Sequence, residues 1–300
     1  MTPLLSVALR VLAWVGALTL VAGVTILGPR RLYDAAGNLA RYLLEAKAYV
    51  GALLAVLVVS AVGRGALETL SRLVGVELTG LIYAFEGGFV GWLQTFATPE
   101  LTLYFSWVYV YGYAFLLFFP LVAYAALPRS TTLKRLMVAY TLNYAIGLLM
   151  YTLVVAHGPR NVMPDLVTSL LYTFNPDFQA LTGEINEPTN VFPSLHTSLS
   201  VTVAAFAVLT YDEYRVWAPV ATWLAASVVV ATMYLGIHWA VDVIGGIALA
   251  LGCVYLSYRI VEWEERSDSD DAAVSAARVD ETGDPADRHD LELPANTTYV

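Results

Sequence analysis

Residues 192–209 read FPSLHTSLSVTVAAFAVL: a proline, a serine, a histidine and two more hydroxyls at the mouth of an apolar run. Pro193 fixes φ at a helix start, and Ser194 or Thr197 can accept from the amides that a helix N-terminus leaves open. Such a terminus attracts anions. His196 lies beside it and can carry a proton near neutral pH. Polar groups at the edge of an apolar segment are costly, so their use has to be sought in the rest of the chain.

The chain around this stretch is 58% hydrophobic and 14% charged, with a mean hydropathy of +0.63 over 300 residues. That is far too apolar for an ordinary soluble domain. A bilayer core of about 30 Å takes roughly 20 apolar residues per helix. Runs at 4–27, 48–62, 101–127, 133–156, 195–210, 216–237 and 239–260 therefore predict an all-α, polytopic membrane helix bundle of about seven spans. The first run contains Arg10 and no small-residue cleavage pattern, which predicts a retained span. Residues 76–97 are apolar but broken by Glu77, Glu86, Gly87 and Gly88. They predict a helix in the outer interface, with Tyr83, Phe85 and Trp92 at headgroup depth.

Charge divides the chain further. Residues 262–300 hold 12 Asp and Glu against 3 Arg, whereas the remainder carries 13 acids and 13 bases. The expected domains are an N-terminal transmembrane hairpin (1–74), a membrane domain (75–261) and a disordered acidic tail (262–300). No nucleic-acid partner is expected, and the oligomeric state is not readable. Cys253 stands alone in an apolar run, so neither a disulfide nor a thiol metal site is available. Arg30, Arg31, Arg41, Lys47, Arg129, Lys134, Arg135, Arg215, Arg259 and Arg266 fall in alternate loops. The positive-inside rule then predicts a multi-pass cell-membrane protein with its tail in the cytoplasm and His196 at the extracytoplasmic face.

A second stretch, residues 236–242, reads GIHWAVD and predicts His238 and Asp242 on one face of a helix, four residues apart. The carboxylate can hold one ring nitrogen and leave the other free to attack. A buried pair that fastens two helices is the structural alternative.

P-S-x-H followed downstream by H-x-x-x-D resembles the type 2 phosphatidic acid phosphatase superfamily, over roughly residues 75 to 260. Leu195, where lipid phosphatases usually carry glycine, resembles the inositol phosphorylceramide synthase branch. The resemblance implies a six-helix core plus one extra N-terminal span. It implies His238 as nucleophile, Asp242 as its orienting partner and His196 as the acid for the leaving group. Arg160 matches the arginine of the first motif, K-x6-R-P, with Leu153 and Asn161 at the other two positions. Ala231 and Thr232 stand at the Ser-Arg positions of the third. Substrate contacts are expected from Arg160, Ser194, Leu195, Thr197, Tyr234 and His157, with no metal and no cofactor.

The missing lysine and arginine favour transfer of a headgroup phosphate, inositol phosphate among the candidates, from a phospholipid to a lipid or polyol acceptor. Hydrolysis of phosphatidate-like or polyprenyl phosphates is the alternative. Glu184, Asn186, Glu187 and Asn190, in the long outer loop, are placed to accept from a polyol headgroup. A transporter is the rival of another class, since membrane-embedded ionisable groups also mark ion paths. His196 and His238 stand at the beginnings of their spans, which speaks against a relay at mid-bilayer.

Overall fold

Glycine or proline marks most of the breaks between helices in the computed structural model, which describes residues 3–174 and 191–282. Helix α1 (Pro3–Ala22) runs into a π-helical turn, Gly23–Leu27, and stops at Gly28, whose φ of 81° suits glycine. Pro29 opens α2 (Pro29–Glu45), followed by α3 (Lys47–Val62) and α4 (Arg64–Val74). A short strand β1 (Val76–Glu77) leads to a helical hairpin, α5 (Thr79–Glu86) and α6 (Phe89–Gln94), turned at Gly87. Thr98 caps α7 (Pro99–Trp107) by accepting from Leu101 N at 3.2 Å. A second π-helical turn, Val108–Gly112, joins it to α8 (Tyr113–Ala125). Then come α9 (Thr131–Leu153), β2 (Val154–Val155), α10 (Pro159–Val162) and α11 (Leu170–Phe174). After the undescribed segment follow α12 (Leu195–Leu209), α13 (Trp217–Tyr234) and α14 (Ala240–Thr282).

The described residues are all-α apart from one parallel pair, with Val76 opposite Val154 and Glu77 opposite Val155. Five described stretches are long and apolar enough to cross a membrane: Leu5–Leu27, Pro99–Ala125, Thr131–Leu153, Trp217–Tyr234 and Ala240–Ser267. A sixth is reached if α2 and α3, bent by 79°, form one broken span. By length and composition the described residues thus give five or six candidate spans where the sequence predicts about seven. The shortfall lies in α12 and α3: their 15 and 16 residues reach about 22 and 24 Å at 1.5 Å per residue, less than the hydrocarbon core.

Helix α2 is amphipathic, with Ala35 and Tyr42 buried on one side and Arg30 and Arg41 exposed away from it, which sets it apart from the uniformly apolar α3. Tyr42 donates to the carbonyls of Leu127 and Pro128 at 3.1 and 2.9 Å, and Arg31 donates to Glu213 O at 3.1 Å. At the other end, α14 continues past Glu262 to Thr282, where the composition predicts a disordered tail. Contacts separate Met1–Ser257 from Tyr258–Val300 as two units.

Helix α12 packs on α13, α8 and α9. Between α12 and α9 the polar groups are matched: Ser198 donates to Asn143 Oδ1, and Asn143 Nδ2 donates to Thr202 Oγ1 at 3.1 Å and Ala139 O at 2.7 Å. A satisfied network among apolar helices fixes their register, because any slip would leave these groups unpaired.

Two apolar clusters meet around residue 238. One joins Tyr109, Val110, Tyr111, Leu171, Tyr234 and Ile237; the other joins Ile82, Val90, Met163, Val167, Val191 and Trp239. The two neighbours of His238 in the chain are thus buried in different clusters.

Candidate active site

Ser194 is the N-cap of α12, its Oγ accepting from Thr197 N at 3.3 Å. Its own amide donates to Asp242 O at 3.0 Å, so main chain ties the start of α12 to the first turn of α14. Two glycines allow that approach. A Cβ on Gly246 would stand 2.5 Å from Ser194 O, and one on Gly245 would stand 2.8 Å from the Phe192 ring.

His238 lies in a turn, two residues before α14, and not on the shared helix face that the spacing predicts. Gly236 causes this. Its φ is 75°, and a Cβ there would meet Val167 Cγ1 at 2.8 Å and Thr168 O at 3.0 Å. Thr232 O receives the amides of both Ile237 and His238, at 3.1 and 3.0 Å. The pairing with Asp242 survives the change of backbone: Nδ1 of His238 is 3.4 Å from Oδ2 of Asp242, and both side chains are buried. At that distance the contact is looser than a well-formed hydrogen bond, and Asp242 Oδ2 also accepts from Trp239 N at 2.8 Å. With Nδ1 turned to the carboxylate, Nε2 is the nitrogen left for chemistry.

His196 occupies the first turn of α12. Its ring centroid is 4.4 Å from that of Tyr109, with planes at 17°, and 4.4 Å from that of Tyr113, at 36°. Tyr109 lies within the π-helical turn 108–112 and Tyr113 directly follows it; such a deviation often marks functional sites. His238 is within electrostatic reach of His196. Tyr151, on α9, hydrogen-bonds the backbone of Leu195.

The other expected contacts divide. Arg160 binds the His238 turn through its main chain, Arg160 N donating to Gly236 O at 3.3 Å. Its guanidinium lies over Tyr172, 4.8 Å from the ring centroid, and Nη2 meets Tyr172 OH at 3.3 Å, while buried Nη1 has no hydrogen-bond partner. Thr197 Oγ1 is also buried without one. Leu195 packs on Gly147 of α9. His157 is tied down: its amide donates to Thr79 Oγ1 at 2.9 Å, its ring Nδ1 lies 3.3 Å from the same oxygen, and its carbonyl accepts from Trp239 Nε1 at 2.8 Å. The hydroxyl of Tyr234 meets Thr102 Oγ1 at 3.0 Å. Glu184, Asn186, Glu187 and Asn190 lie outside the described residues.

Sequence reasoning singled out Glu86 only as an interruption of an apolar stretch. The carboxylate reaches α14, accepting from Val241 N at 3.1 Å. Burial pushes its carboxyl above the usual glutamate range; the Ala240 and Val241 amides pull the other way, and Asp242 adds to the rise. Glu86 Oε1 is buried with no hydrogen-bond partner. Among the described residues no group of three or more His, Cys, Asp or Glu is gathered as a metal site would need.

Residues 79–256 match the family described as the PAP2 superfamily, and they contain both histidine motifs. The chain belongs to the PAP2 superfamily. No curated protein and no solved structure matches it. PAP2 membership makes it a phosphatase-type membrane enzyme, of lipid phosphatase or phosphotransferase kind. The PAP2 match begins at the first residue of α5 and leaves out α1 to α4.

Proposed function

We propose that the protein is a metal-independent lipid phosphotransferase of the inositol phosphorylceramide synthase-like branch, working through a phosphohistidine on His238. The observation that carries this reading is the 3.4 Å contact between His238 Nδ1 and Asp242 Oδ2, in a chain of this superfamily with His196 within electrostatic reach. In the first half-reaction Nε2 of His238 attacks phosphorus. The bond to the departing alkoxide breaks, and His196 protonates that oxygen. In the second half-reaction His196 takes the proton from an acceptor hydroxyl, whose oxygen attacks phosphorus and frees His238. The same two groups serve both directions with reversed proton roles.

Charge on the transferred group falls to Arg160 and to amides at the start of α12, with Ser194, Leu195, Thr197, Tyr234 and His157 around the substrate. Thr232, at the motif position where phosphatases carry arginine, is spent on holding the turn: its hydroxyl donates to Val229 O at 2.7 Å and its carbonyl binds two amides. Each missing cation removes on the order of 1–3 kcal/mol of charge-assisted bonding, and a dianionic monoester loses more than a phosphodiester. Transfer of a headgroup phosphate, such as inositol phosphate, from a phosphodiester lipid to a lipid alcohol follows. The site faces the extracytoplasmic side, on membrane domain 75–261, with the hairpin 1–74 as an addition and residues 262–300 as a cytoplasmic tail.

The test offers purified protein equal amounts of phosphatidate and a phosphodiester lipid, with an acceptor alcohol present. A new phosphodiester is the expected product. Faster consumption of phosphatidate, releasing free phosphate and forming no new diester, would support the hydrolytic reading instead. His238→Ala is expected to lose all turnover, and normal activity in it would sink the mechanism.

A further inference from the structure

We infer that Glu86 and Gln94, at the two helix ends of the α5–α6 hairpin, are positioning residues that grip the His238 segment from both sides. This rests on His238 being the reacting group. The grips are direct. Glu86 Oε2 accepts from Val241 N at 3.1 Å, three residues after His238, and Gln94 Nε2 donates to Tyr234 O at 2.9 Å, four residues before it. The Gln94 amide is itself fixed, because Nε2 also donates to Thr168 O at 2.9 Å and Oε1 accepts from Thr168 N at 2.8 Å.

The segment between the grips needs them. Residues 235–239 belong to neither α13 nor α14, and Gly236 at φ 75° gives the backbone freedom that other residues lack. From the preceding helix the turn is held by main chain alone, through Ala231 O, Thr232 O and Met233 O, and Arg160 N adds one bond to Gly236 O. Beside these main-chain ties and the Asp242 contact, two side-chain grips pin the ends of the segment that carries His238, and both belong to one short hairpin. Val90 of that hairpin is completely buried, and Ile82 nearly so, against the cluster that contains Trp239, so the hairpin cannot shift without moving the residue next to the nucleophile.

A helix cap needs no carboxylate drawn from a separate, distant hairpin. Nor does Gln94 need three hydrogen bonds merely to close a turn. What the pair accomplishes is a fixed distance between the end of α13 and the start of α14, across the reacting residue. A displacement on the order of 1 Å at a reacting group costs about 100-fold in rate.

The experiment uses the full-length protein in lipid nanodiscs and compares Glu86→Asp, Glu86→Gln, Gln94→Ala and the double variant Glu86→Asp/Gln94→Ala. It follows steady-state turnover, single-turnover phosphohistidine formation and the thermal unfolding midpoint. Aspartate keeps the charge but draws the carboxylate back by about 1.5 Å, the length of one carbon–carbon bond; glutamine keeps the reach and drops the charge. Glu86→Asp and Gln94→Ala are expected to lower kcat and the phosphorylation rate together, about 10- to 100-fold, with KM within about twofold and the midpoint near wild type. Glu86→Gln loses less than Glu86→Asp. The double variant loses less than the product of the single effects, because both residues act on one segment.

Turnover within about twofold of wild type in Glu86→Asp, alongside an inactive His238→Ala, overturns the assignment while leaving the mechanism standing. A Glu86→Gln variant worse than Glu86→Asp also overturns it, since charge and not reach would then matter. If Gln94→Ala does not fold, the Glu86 pair decides alone. Retained turnover in His238→Ala instead shows that the nucleophile is elsewhere, and the positioning role falls with it.

Discussion

The amide of Ser194 donates to the carbonyl of Asp242 at 3.0 Å, which binds the two histidine-bearing motifs by main chain and not by their reactive side chains. Substitution of a catalytic group therefore leaves the frame in place. The frame depends instead on the glycines that let the two stretches of backbone come this close.

Gly246→Ala should destabilise the protein by about 1–3 kcal/mol, the usual cost of overpacking, because its Cβ would lie 2.5 Å from Ser194 O and 3.0 Å from Thr197 Cβ. Gly252, on the same helix, has open space within 4 Å of where a Cβ would stand, so Gly252→Ala should be neutral or slightly stabilising. Thermal unfolding of the two variants side by side checks this; equal midpoints would contradict it.

Asp242→Asn should lower kcat by on the order of 10²- to 10⁴-fold with folding intact, the scale of a misoriented base. Asparagine fills the same volume and its Oδ1 can still accept from Trp239 N. Circular dichroism with single-turnover labelling of His238 separates lost orientation from lost structure. A variant that labels at the wild-type rate would remove Asp242 from the mechanism.

Activity should survive EDTA. The electrostatic work is assigned to Arg160 and to amides at the start of α12, with no step given to a bound ion. Reversible loss of turnover, restored by Mg²⁺ or Mn²⁺, would count against that assignment.

Glu86 gives a pH dependence with a definite sign. Its folded-state pKa is raised above 4.5, chiefly by burial. Its contribution to stability is therefore full below the unfolded value and is lost as pH rises through the folded one. Glu86→Gln keeps an acceptor for the Val241 amide and removes the buried charge. Its unfolding midpoint should match that of wild type in acid and exceed it at neutral pH. A variant less stable than wild type at neutral pH would reverse the conclusion.

The spans and the two motifs were readable because apolar length and fixed spacing are local properties of the chain. The resemblance implied that the two motifs work together, and the glycines at 245 and 246 let the start of α12 come up to the first turn of α14. The bend between α2 and α3 was not readable: Ala46, where it falls, carries no signal of turning, and the bend answers to Tyr42 and Arg31 reaching other parts of the fold. The same holds for Glu86 and Gln94, whose partners are 155 and 140 residues away. Glu86 did announce itself as a charge in an apolar stretch. His238 left its predicted helix because Gly236 demanded a turn whose need arises only once Val167 and Thr168 are packed against it.

Arg160 lies over the ring of Tyr172, half-buried, with one guanidinium nitrogen still open. If Arg160 and the amides at the start of α12 bind the phosphate as proposed, that recognition is short-ranged. Mobile ions screen charges that face each other across open water far more than those shielded by a ring. Turnover should consequently change little as ionic strength is raised, as expected of a site that takes the proposed lipid substrate from within the bilayer and does not draw it in by long-range attraction.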